Sequence, residues 1–152
     1  MIVYRIGRTK YAHDLSGEGA RLFGGRWNRK GASCLYTSAS RALALLEYTV
    51  NVNVDDIPRA LSFTTLEIPD HSVREVEVSD LPGDWRAVPA PVSAKDFGTA
   101  WLNSRMHLVW RVPSTVIPSE FNYLLNPQHA EISAVKILAI DDFVYDVRIK
   151  TA

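Results

Sequence analysis

A chain of 152 residues with 17 Lys and Arg against 17 Asp and Glu has a formal net charge of zero, so no global field draws it to nucleic acid or to anionic lipid. Its 47% hydrophobic and 22% charged residues are the balance of one globular domain with a real core, which excludes disordered, collagenous and coiled-coil classes. A single cysteine, Cys34, excludes an internal disulfide and a cysteine-rich metal site, and without an apolar run of signal or membrane-spanning length the expectation is a cytoplasmic protein.

In chain order, an expected first strand at residues 2–6 leads into a stretch crowded with glycine. Six of the 8 glycines fall within the first 31 residues, and this predicts loop. Arg21, Arg26, Arg29 and Lys30 make the end of that stretch a local basic patch. Strand character returns at residues 33–37. A helix should begin after Ser38, a good N-cap, and run through Leu43 and Leu46 to about Val50. Expected strands at residues 61–68 and 73–78 follow, the second inside an acidic run from Glu67 to Asp84. A second helix is expected at residues 93–104, with Gly98 as a weak point. After a strand at 108–112, the stretch from Val112-Pro113-Ser114-Thr115 to His129 reads as a polar loop. Two last strands are expected at residues 135–140 and 143–147. Many strands and two helices that do not alternate regularly give an α+β class: a compact mixed sheet with few helices.

Several chemistries are excluded by motif. Gly17-Glu18-Gly19 lacks the third glycine of a dinucleotide fingerprint, and no Gly-Lys-Ser/Thr of a phosphate loop is present. The histidines His13, His71, His107 and His129 have no ligand spacing, so no metal is expected.

Glu47 is more informative. With Leu43 at zero, a rotation of about 100° per residue puts Leu46, Val50 and Glu47 at about −60°, −20° and +40°. The carboxylate therefore lies on the buried arc, where it must be paired, neutralised or facing a cleft. A buried arginine is one partner that would satisfy it. Gly24-Gly25-Arg26-Trp27-Asn28 combines glycines that allow close backbone approach with a planar cationic fork suited to phosphate. A plain turn with Trp27 as core filler is the other reading.

These motifs together, with Gly31, Tyr36, Ala42-Leu43-Ala44-Leu45-Leu46-Glu47, Val112-Pro113-Ser114 and Asn122-Tyr123-Leu124-Leu125-Asn126-Pro127-Gln128-His129, resemble the RES-domain toxins, a family named for an Arg, a Glu and a Ser. The resemblance covers nearly the whole chain and treats residues 1–152 as one RES domain. It implies a core like that of the ADP-ribosyltransferases and an NAD-degrading toxin of a type II toxin–antitoxin pair, with NAD consumed as substrate and no cofactor. By motif position the family's Arg falls on Arg26, its Glu on Glu47, its Ser on Ser114 and its pocket tyrosine on Tyr36. Gln128-His129-Ala130 departs from the family's usual His-Pro pair.

The implied roles fit the chemistry. A fixed carboxylate, Glu47, stabilises an oxocarbenium-like state at the nicotinamide–ribose bond. Arg26 neutralises the pyrophosphate, Tyr36 stacks on nicotinamide, and Ser114 donates to ribose or amide. The implied partner is an antitoxin with an Xre-like helix-turn-helix domain, through which alone the chain would meet DNA. A homo-oligomer is left open. The alternatives are a protein ADP-ribosyltransferase, disfavoured by Leu45 where such enzymes often carry a second acid, and a noncatalytic binding module.

Overall fold

β1 (Ile2–Arg8) and an almost wholly buried β3 (Leu61–Glu67) pair antiparallel along their whole length, from Ile2 opposite Glu67 to Arg8 opposite Leu61. Around them the computed structural model, which describes residues 1–150, places β2 (Leu35–Ser38), β4 (Val73–Glu75), β5 (Val109–Pro113), β6 (Phe121–Leu125) and β7 (Lys136–Phe143). The seven strands form one mixed sheet in the order β4-β5-β6-β2-β1-β3-β7. Only β4 and β5 run parallel. The α+β class expected from the sequence is the architecture observed.

The sheet is narrowest at its middle. β1 and β2 share a single pair, Tyr4 opposite Ser38, so the strands divide into two groups joined at one point. α2 (Arg41–Asn51) packs on β1 and β2 beside that junction. Its N-cap is Ser40, whose Oγ accepts from the Leu43 N–H at 3.1 Å. The expected cap, Ser38, instead ends β2, because its side chain is used on the sheet.

Three other elements differ from expectation. α1 (Glu18–Phe23) interrupts the glycine-rich stretch, entered through Gly17 at φ 70°, where a Cβ would sit 2.8 Å from the Cys34 nitrogen. The residues of β6 were expected as loop because Pro118 and Asn126-Pro127 flank them. Those turn signals bound a five-residue strand whose Tyr123 and Leu125 belong to one core and whose Leu124 belongs to the other. Finally, the two strands expected at the C-terminal end are one. Asp141 and Asp142, which look like a break, stay in register opposite Phe63 and Ser62, and the Ser62 hydroxyl donates to Asp142 at 3.3 Å. Beyond β7 the chain leaves the sheet, and the Tyr145 hydroxyl meets that of Thr49 on α2 at 2.8 Å.

α3 (Val92–Ser104) buries Ala94, Gly98, Trp101 and Leu102, the i, i+4, i+7, i+8 stripe of a core-facing helix. Gly98 is no weak point. A Cβ there would lie 1.9 Å from the Trp27 carbonyl oxygen, so glycine lets the helix rest directly on the backbone beside Arg26. All 4 tryptophans collect on this side: Trp27 stacks on Trp85 at 6.4 Å, Phe97 bridges Trp27 and Trp110, and Trp101 stacks on Trp110 at 4.4 Å. Gly98→Ala is expected to lower stability by about 1–3 kcal/mol through overpacking, read as a lower urea midpoint. An unchanged midpoint would mean that α3 slides away from Trp27 at no cost.

Candidate active site

Register decides which side chains share the sheet face that carries Glu47's partners. Ser38 lies opposite Asn122, and Asn122 opposite Val112; two residues along, Tyr36 lies opposite Leu124, and Leu124 opposite Trp110. Side chains directly opposite point the same way and alternate by two along a strand, so Tyr36, Ser38 and Asn122 share one face. β5 then runs past Pro113 into Ser114, whose backbone N–H donates to the Glu120 carbonyl at 2.9 Å. Three strands and α2 thereby converge on Glu47.

The Glu47 carboxylate is half-buried and held by one oxygen. Its Oε1 accepts from the Ser114 hydroxyl at 2.6 Å and from Asn122 Nδ2 at 2.7 Å. Among the described residues Oε2 receives no hydrogen bond. The partner is therefore not a buried arginine, one of the options the sequence left open. An acceptor gripped on one side and free on the other is fixed in direction.

Ser114 is fully buried. Its Oγ accepts from the Val116 and Ile117 N–H groups at 3.0 and 3.2 Å and gives its only proton to Glu47. No proton remains for the direct bond to ribose or amide expected above. In this structure Ser114 orients the carboxylate.

Arg26 donates through Nη1 to the carbonyls of Trp85 at 2.9 Å and Ala87 at 2.7 Å. Its Nε and Nη2 have no partner among the described residues. Burial pulls the guanidinium below its ordinary pKa, and the charge of Glu47 works in the opposite direction. No hydrogen bond joins Arg26 to Glu47.

Tyr36 secures the loop that carries Arg26. Its hydroxyl donates to Asn28 Oδ1 at 2.6 Å and accepts from the Trp27 N–H at 3.1 Å. Burial raises its pKa well above the usual phenol value, so it stays neutral. Gly25 is required beside it, since a Cβ would fall 2.6 Å from that hydroxyl. Asn28, fully buried, ties the loop further by donating to the carbonyls of Ala20, Arg29 and Ala32. The phenol oxygen is thus consumed by structure, and the ring is what Tyr36 can offer a ligand.

The four expected residues therefore fall into two linked groups: Glu47 with Ser114, and Arg26 with Tyr36. Sequence reasoning missed Asn122 and misassigned Ser38; the signal that finds them is the β2–β6 register, hidden once β6 is taken as loop. The basic patch is smaller than expected. Arg21 pairs with Glu18, and Arg29 with Asp96. Two cavities, of about 410 and 310 Å³, lie against β4, and neither is lined by these four residues. Among the described residues no helix is long and apolar enough to cross a membrane.

The RES domain family matches residues 2–147 of the chain. "Toxin Res" of Yersinia enterocolitica is 38% identical over 99% of this chain and 100% of its own length. The "Prs ADP-ribosylating toxin" of a Sphingobium species is 38% identical over 93% of this chain and 89% of its own. Among solved structures, the crystal structure of the M. tuberculosis MbcT-MbcA toxin-antitoxin complex superposes with a TM-score of 0.76 at 19% identity, covering 94% of this chain and 84% of that one. That likeness is one of fold.

Proposed function

The chain belongs to the RES-domain family, and from that premise we propose that it is the toxin of a toxin–antitoxin pair and degrades NAD by cleaving the bond between nicotinamide and ribose. The observation that carries the proposal is the Glu47 carboxylate, gripped through Oε1 by Ser114 and Asn122 and free at Oε2.

The chemistry needs little more. As the bond from the ribose carbon to the ring nitrogen breaks, its electron pair goes to the nitrogen, which loses its positive charge and leaves without a general acid. The ribose is left with oxocarbenium character, and a fixed anion nearby stabilises it. Oε2 is the oxygen with lone pairs to spare. The free edge of Arg26 suits the pyrophosphate, which needs a planar cationic fork. The Tyr36 ring offers a stacking surface for nicotinamide. Water or phosphate then forms the new bond to the ribose carbon, and the attacking water gives up its extra proton to solvent.

A second reading has one observation in its favour: the Sphingobium relative is named as an ADP-ribosylating toxin. The same carboxylate and cation would serve transfer to a protein. Incubating the purified chain with NAD, with and without phosphate and with a cell extract, separates the readings by product. Free ADP-ribose marks the hydrolase, its 1″-phosphate the phosphorylase, and labelled protein the transferase. Intact NAD under all three conditions removes the proposal.

The proposed partner is a cognate antitoxin with an Xre-like helix-turn-helix domain, and DNA is reached only through it. An NAD-consuming enzyme acts where NAD is, which supports the cytoplasm. Arg26→Lys tests the fork directly. A point charge keeps the attraction but not the two-pronged geometry, so KM for NAD is expected to rise about tenfold or more; KM equal to wild type would take Arg26 out of the site.

A further inference from the structure

We propose that Ser38 is a positioning residue for Glu47, acting at one remove by locking the Asn122 side-chain amide in the orientation that presents its NH₂ to the carboxylate. The proposal rests on Glu47 being the reacting carboxylate.

An asparagine amide has two ends of nearly the same shape and opposite polarity. Turned one way, Asn122 donates to Glu47; turned over, its carbonyl oxygen would face Oε1 and repel it. The carboxylate alone can favour the first orientation only while it stays in place, so a mobile amide and a mobile carboxylate would loosen together. Ser38 removes that freedom. Its hydroxyl donates to Asn122 Oδ1 at 2.6 Å, and Asn122 Nδ2 then donates to Glu47 Oε1 at 2.7 Å. The Ser38 Oγ has no other partner among the described residues. Every donor in this chain points toward Glu47, so each bond polarises the next in the same sense.

The backbone makes the lock rigid. Ser38 and Asn122 are register partners on paired strands, and Ser38 is also the residue through which β2 joins β1. Ser38 is only 4% exposed, so water cannot easily replace its hydroxyl. Ser114 closes the other side of Oε1. The two bonds together leave Oε2 as the oxygen presented to substrate, and Ser38 is the outermost of the groups that determine this.

A double-mutant cycle tests the proposal. Ser38→Ala is expected to lower kcat for NAD about fivefold to tenfold, with KM within about twofold of wild type. Ser38→Thr keeps the hydroxyl and should recover most of the loss. In an Asn122→Ala background, Ser38→Ala should add almost nothing, because the group it positions is gone. The side-chain NH₂ resonance that Asn122→Ala removes should shift in Ser38→Ala, a readout independent of turnover. Should Ser38→Ala not fold, Ser38→Cys, which keeps the volume and donates weakly, carries the same comparison. The proposal is overturned by wild-type kcat in Ser38→Ala, by losses that multiply in the double variant, or by an unmoved Asn122 resonance. Absent turnover in the wild-type protein counts against the NAD reading instead, and the resonance still decides whether Ser38 sets the amide.

Discussion

Glu47→Gln should lower NAD turnover by about 10²-fold or more, in scale with the loss of one preorganised electrostatic stabiliser, while the thermal midpoint stays near that of wild type. The substitution keeps the shape and an oxygen for Ser114 and Asn122 to donate to, so the positioning bonds can survive. What disappears is the negative charge at the free side of the group, where positive charge develops. In cells, expression of the wild-type chain without its antitoxin should lower NAD before growth stops, and Glu47→Gln should relieve both. Retained turnover in a folded Glu47→Gln protein would assign the carboxylate a structural task only. Growth arrest at constant NAD would instead leave the fold of a toxin with a different target.

Ser114→Ala carries the second large effect, and its form separates two roles. The substitution removes one of the two donors to Glu47 and also the acceptor for the Val116 and Ile117 N–H groups. Buried groups left unpaired cost about 1–3 kcal/mol, so a lower urea midpoint is expected. Turnover should fall about tenfold to 10²-fold through kcat, since a swinging carboxylate misses the transition state more than it weakens ground-state binding. A raised KM with kcat unchanged would return Ser114 to the direct substrate contact that the family resemblance implies.

The parts of the fold that were legible in the sequence are those with strong local signals. The β-type runs of β1 and β3 are marked by the turn residues that bound them, and the position of Glu47 on the inner arc of α2 follows from a period of 3.6 residues. What was not legible depended on pairing at a distance. β6 lies between two prolines and carries Asn122 and Tyr123 among its five residues, and only its place between β2 and β5 makes it a strand. Without β6 as a strand nothing in the local sequence sets Asn122 opposite Ser38, and Ser38 keeps the local signature of a helix cap. Gly98 was misjudged for the same reason: propensity knows the helix it weakens, not the Trp27 carbonyl it admits. Arg26 and Tyr36 were visible through motif resemblance, but the use of the tyrosine oxygen as a tether for the arginine loop is a property of the packed molecule.

The gathered tryptophans give the protein an optical handle on its own arginine loop. Trp27 follows Arg26 in the chain, Trp85 supplies a carbonyl that holds the guanidinium, and the two rings are stacked. The remaining indoles are linked to them through Phe97. Because every indole in the molecule sits in this one assembly, its ultraviolet-excited emission comes from a single neighbourhood rather than from an average over the surface. A dinucleotide or an antitoxin segment that draws Arg26 off those carbonyls changes the surroundings of the emitting rings directly, with no label attached to the chain.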